Sequence, residues 1–168
     1  MNDSIKEIIW SQLGASIDMM ENAVAACPDE VWSPDFKFSD FWYIAFHTIF
    51  WLDFNFSESP ENYIPPSPFG LTELDPEGIL PERVFTKEEL LNYCKYSRNK
   101  CRTFLKNITK EKAYQRFVYG SIDLPFIELF LYTLRHVQHH TGQLNMLLRQ
   151  KADMGSVYVK QAKEKLHT

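Results

Sequence analysis

Apolar positions recur at helix spacing in four long stretches of the chain. In the first, residues 3 to 26, they fall at Ile5, Ile8, Ile9, Leu13, Ile17, Met20 and Val24. Steps of three and four place these side chains on one helix face. Asp3 and Ser4, with Glu7 behind them, give a start signal, and Pro28 ends the helix. The connection CPDEVWSPDFKFSD follows, with a short helical turn at Asp29-Glu30 and Trp32 as an anchor on the core. Ser39 or Asp40 then caps a second helix, FWYIAFHTIFWLDFNF, which leaves almost no polar face. A helix that apolar is covered on most sides.

Residues 57 to 84 break the pattern. They hold six of the nine prolines and show no periodicity. A connection of this length is a packed surface crossover, a lid, a wall of a site or an interface arm. Thr86 and Glu89 form a capping box for a third helix to about Asn107, with Leu90, Leu91, Cys94, Ser97, Cys101, Phe104 and Leu105 as its inner stripe. Thr109 to Lys112 starts a short segment reaching Phe117, and VYGSIDLP reads as a loop. Pro125 near the first turn opens the last long helix, from about Leu124 to Arg149. The tail from Val157 reads as a short, mostly solvated helix. With four long helices and no strand signal, the pattern predicts an all-α chain, residues 1–168 as a single domain. The expected architecture is an antiparallel four-helix bundle with one long proline-rich crossover.

Composition narrows the function classes. Hydrophobic residues are 45% of the chain and aromatics 15%, so a packed core is expected rather than disorder. The net charge of −4 and the lack of a basic patch argue against nucleic acid as a partner. No apolar run approaches the roughly 18 residues a membrane span needs, and the first residues do not read as a signal peptide. Cys94 and Cys101 lie about 10 Å apart along one helix, too far for a disulfide. With Cys27 they read as buried, reduced thiols of a cytoplasmic protein. The aromatic surplus of the second helix suggests a homodimer.

Five histidines carry the candidate chemistry. His136 and His140 are four apart on the last helix, about 40° apart around its axis and about 6 Å apart along it. Two rings so placed can converge on one transition-metal ion. His139, three residues from His136, is the alternative partner, but it points about 100° away from His140. His47 sits in the middle of the apolar second helix and can join from across the bundle. The segment lacks the glutamate of a zincin HExxH motif. Tyr43 and Gln143 are one turn from His47 and His140, so either can border the site. Asp53 and Glu128 are candidate acceptors behind the ligands, and Arg98 and Arg135 are candidate basic groups for an anionic cofactor.

Three elements in order resemble the DinB superfamily, the DinB/YfiT-like group of metal-dependent proteins. They are the CPDEVW turn, FWYIAFHTIFWLD around His47, and His136-Val-Gln-His-His140-Thr-Gly142-Gln143. Where that family usually has arginine before the glycine, this chain has Thr141. The resemblance implies His47, His136 and His140 as ligands of a divalent metal, zinc or nickel, and leaves His139 out. It implies a small-molecule substrate and a thiol S-transferase using a low-molecular-weight thiol. A metal-dependent hydrolase and a non-catalytic, stress-related binding module are the alternatives.

Overall fold

The computed structural model describes residues 1–57 and 59–167. Among them are six α-helices: α1 (Asp3–Ala26), α2 (Asp29–Trp32), α3 (Phe41–Phe54), α4 (Lys87–Asn107), α5 (Lys110–Tyr114) and α6 (Phe126–Ala152). Two short strands, β1 (Arg116–Tyr119) and β2 (Ile122–Pro125), and two 3-10 turns, Pro60–Asn62 and Thr72–Leu74, are also present. The chain is therefore mostly helical, and α1 and α3 each pack against both α4 and α6. No helix among the described residues is long and apolar enough to cross a membrane.

Local chemistry sets the helix ends. At α1 the cap lies one residue earlier than its sequence signal, because the Asn2 side chain accepts from the Ser4 N–H at 2.8 Å. At α4 the expected capping box is formed: the Glu89 N–H donates to Thr86 Oγ1 at 3.2 Å, and the Thr86 N–H donates to Glu89 Oε2 at 2.8 Å. Asp40 precedes α3, but its carboxylate turns back to accept from the Asp35 and Lys37 N–H groups instead of capping the helix. Trp32 is buried as expected, its indole N–H donating to the Phe85 carbonyl at 3.0 Å.

Much of the apolar excess of α3 is covered within the chain. Phe41, Trp42, Phe46, Ile49, Phe50, Leu52 and Phe54 are all fully buried. Each such side chain contributes about 1.5–3 kcal/mol relative to exposure. The crossover from α3 to α4 lays Phe69 against Phe46 and Tyr93, with ring centroids 5.9 and 4.2 Å apart, and sets Tyr63 edge-on to Phe50 and Phe54. These contacts cover one side of α3, while Tyr43, Ile44 and Trp51 stay partly exposed.

Two sequence expectations are corrected. The segment VYGSIDLP is not a plain loop: β1 and β2 pair antiparallel, with Tyr119 opposite Ile122 and Gly120 at φ 56° in the two-residue turn. Arg116-Phe-Val-Tyr119 carries no polar/apolar alternation to mark a strand, and α5 ends at Tyr114, so Phe117 belongs to β1. Phe117 is buried and meets Phe54 and Phe126, which is why the hairpin packs down on the core.

The tail is not a helix either. It runs irregularly along α1, where the Ala162 N–H donates to the Ser11 carbonyl at 2.9 Å, and Trp10 Nε1 donates to the Glu164 carbonyl at 2.8 Å. Its partners sit on α1 and α4, so docking decides its conformation, not periodicity. Arg98 of α4 joins Asp18 of α1 at 3.0 Å and Glu164 of the tail at 3.1 Å. A Cβ built on Gly14 would lie 2.7 Å from Ala162 Cβ. Gly14→Ala is therefore expected to push the tail away from α1, at a cost of about 1–3 kcal/mol. A denaturant melt showing unchanged stability would mean the tail is not seated there.

Candidate metal centre

The middle of α3 faces the middle of α6, and this brings His47 to His136 and His140. His136 Nε2 lies 3.2 Å from His47 Nε2. The ring centroids of the three residues are 4.5 to 5.2 Å apart pairwise. One nitrogen from each lies within 4.8 Å of the other two, and all three residues are half-buried. Two nitrogens bonded tetrahedrally at about 2.0–2.1 Å to one ion stand about 3.3 Å apart, close to the spacing of the His47 and His136 nitrogens. His139 is exposed and lies outside this group.

The far sides of two rings are already fixed. His47 Nδ1 meets Glu73 Oε2 at 2.6 Å. A carboxylate can only accept, so Nδ1 carries a proton, which leaves Nε2 as the ring's donor atom toward an ion. His140 Nδ1 meets Gln143 Oε1 at 2.7 Å, which in the same way leaves its Nε2 bare. One proton on His136 Nε2 could satisfy only one bare nitrogen, whereas a divalent cation satisfies all three. The donor set thus fits an ion of the zinc or nickel kind, held by neutral imidazoles.

Burial favours the neutral forms. His136 is pushed down to about 3, first by burial and then by the neighbouring His140, His47 and His139. His140 is also lowered, again chiefly by burial. Both rings are therefore free of the competing proton at neutral pH, as metal ligation requires. Burial alone would raise Glu73, but hydrogen bonding to His47, then to Tyr43 and Trp51, outweighs it and keeps the carboxyl below its usual range.

Glu73 is the functional residue that sequence reasoning missed. It sits in a 3-10 turn of the crossover, Thr72–Leu74, with its side chain 4% exposed, and accepts from Trp51 Nε1 at 3.1 Å as well. No sequence periodicity links Glu73 to His47; the only signal was the length of the crossover. Removing the carboxylate that orients a ligating histidine typically weakens metal binding about 10- to 100-fold. Glu73→Gln is expected to do so here, read by competition with a chromophoric chelator, with the fold retained.

The other candidates sort plainly. Tyr43 borders the site, its ring centroid 6.4 Å from that of His47, and Gln143 holds His140. Burial and then Glu73 push the Tyr43 phenol upward, so it stays protonated. Asp53 is not behind a ligand: it is buried in a separate cluster with Tyr63, Tyr93 and Lys100. Its α3 position turns it toward α4 and the crossover. Glu128 is exposed at the start of α6, away from the triad. Arg98 is engaged by Asp18 and Glu164, and the exposed Arg135 lies over the Tyr132 ring. Cys27, Cys94 and Cys101 are buried free thiols, each pushed upward chiefly by burial, and none is among the triad's neighbours described above. The chain matches no family model, no curated protein and no solved structure, so its function is argued from the triad and its surroundings.

Proposed function

We propose that this chain binds a divalent transition metal through His47, His136 and His140, and that it is a metal-dependent enzyme acting on a low-molecular-weight thiol. The convergence of three imidazoles, two with their outer nitrogens tied to Glu73 and Gln143, carries the reading. Three protein ligands leave coordination positions open, the pattern of a catalytic zinc site rather than a closed structural one. Bound there, the ion would lower the pKa of a thiol or water and attract its lone pair.

The chain's own residues do the rest. Glu73 fixes the tautomer and angle of His47, and Gln143 does the same for His140. Both rings then keep their donor atoms aimed inward without a search through rotamers. Tyr43 stays a hydroxyl donor beside them. Glu73 is the carboxylate that touches the triad, and it is held by His47 and Trp51, so it is poorly placed to take a proton from water. A thiol has less need of a separate base, because coordination itself strips its proton. This ranks S-transfer above hydrolysis.

The reading extends to the DinB-like four-helix bundle, supported by the packing of α1 and α3 on both α4 and α6. It also extends to a reducing, cytoplasmic setting, supported by three buried free thiols. The test incubates metal-loaded protein with a small thiol and an alkylating electrophile. Thiol consumption that stops on adding a chelator and returns with metal is expected. A rate indifferent to chelator would remove the enzyme and leave a metal-binding module.

A further inference from the structure

A hollow of about 380 Å³ opens on the triad, with His47 and His140 at one end and Phe38, Tyr43, Ile44 and Gln143 along its walls. A second hollow of about 490 Å³ shares Ile44 and Gln143 with it and continues past Met146 and Leu147 on α6. The two form one groove between the start of α3 and the second half of α6. Both volumes lie in the usual range of small-molecule sites. Phe38 and Met146 on its rim are 47% and 51% exposed, large apolar side chains left facing water where the groove opens.

No lysine, arginine, aspartate or glutamate lines either hollow. The polar groups there besides the histidines include the Tyr43 hydroxyl, the Gln143 amide and Ser39, all uncharged. Charged walls begin only in the next hollow, beyond Leu147, where Lys37 and Lys151 occur with Glu30 and Asp35. A charged ligand body in the groove would lose water without meeting a counter-charge.

We propose that this groove selects a small substrate with an uncharged, largely apolar body, seated on Phe38, Ile44 and Met146 while its donor head reaches the triad. The inference rests on the metal-binding reading above and narrows it: a thiol carrying several carboxylates is disfavoured as the molecule held in the groove.

The test uses cobalt(II)-loaded full-length protein and three hydroxamic acids with one common metal-binding head. Their bodies are methyl (acetohydroxamic acid), phenyl (benzohydroxamic acid) and carboxyphenyl (4-carboxybenzohydroxamic acid). Binding is read from the shift of the cobalt visible bands. Benzohydroxamic acid is expected to bind about tenfold or more tighter than either of the others. Ile44→Asp and Met146→Asp should each erase that preference at unchanged cobalt content. Met146 is half-exposed, so its variant tests the groove even if Ile44→Asp fails to fold. Cobalt bands with equal affinities, or tightest binding of the carboxylate, would overturn this proposal and leave the metal site standing. Absence of cobalt bands would overturn both.

Discussion

Replacing His140 with alanine is expected to lower the metal content of the purified, untagged chain from about one ion to near zero, while His139→Ala leaves it unchanged. The two residues are neighbours in sequence and their rings are 4.9 Å apart, yet only His140 belongs to the triad. Four-ligand zinc peptides bind with roughly 10–16 kcal/mol, so one ligand is worth about 3–4 kcal/mol, or roughly 100- to 1000-fold in affinity. His47→Ala and His136→Ala should cost as much as His140→Ala. Elemental analysis after dialysis is the measurement. If His139→Ala alone strips the ion, the ligands have been wrongly chosen. If the parent chain holds none, the metal reading ends.

The largest stability loss is expected far from that chemistry, at Asp53. Its side chain is 1% exposed and accepts from Tyr63 at 2.5 Å, Tyr93 at 3.0 Å and Lys100 Nζ at 2.5 Å. Burial, together with the Asp53 carboxylate, pushes both phenols upward, so they remain donors. Asp53→Ala removes the shared acceptor, leaving the Lys100 ammonium only the backbone carbonyl of residue 53 and the two buried hydroxyls only each other. Breaking one side of such a cluster costs about 3–5 kcal/mol. Lys100 is 26% exposed and can swing toward water, which puts the expectation near the lower end, about 3 kcal/mol. Chemical denaturation should show it as a lower midpoint with an unchanged slope. A loss under about 1 kcal/mol would mean the cluster is not buried as described. Metal content should be unaffected, since Asp53 touches none of the three histidines.

Much of this architecture could be read along the chain because helix periodicity is a local signal. The apolar stripes of α1 from Ile9 onward, of α4 and of α6, and the Thr86–Glu89 box announced themselves, whereas Ile5 and Ile8, expected on the same face of α1, are exposed; α3 was legible from its near-uniform apolarity. His136 and His140 were legible for the same reason, being four apart on one helix. Bringing His47 to them required packing, and only its place midway along an apolar helix suggested that.

What could not be read was decided by contacts between distant residues. The tail has no pattern of its own; Ser11, Trp10 and Asp18 hold it. The hairpin was hidden because its strands are only four residues long and Arg116-Phe-Val-Tyr119 does not alternate between polar and apolar. Asp53 looked like a solvated acid or a ligand's acceptor because sequence does not show that Tyr63, Tyr93 and Lys100 converge on it. Glu73 was invisible because an acidic residue in an irregular, proline-rich segment is ordinarily left in water.

The route by which Glu73 arrives has a mechanical consequence. Its carboxylate is delivered by a loop whose position is set by stacked rings: Phe69 on Phe46 and Tyr93, and Phe85 on Phe46. Loosening that stack would let the loop drift and free the His47 ring to rotate, although no atom of the triad had changed. Aromatic packing in the core, on the face of α3 turned toward α4 and the crossover, therefore acts as a distant adjustment on how tightly an ion is gripped at the half-buried triad.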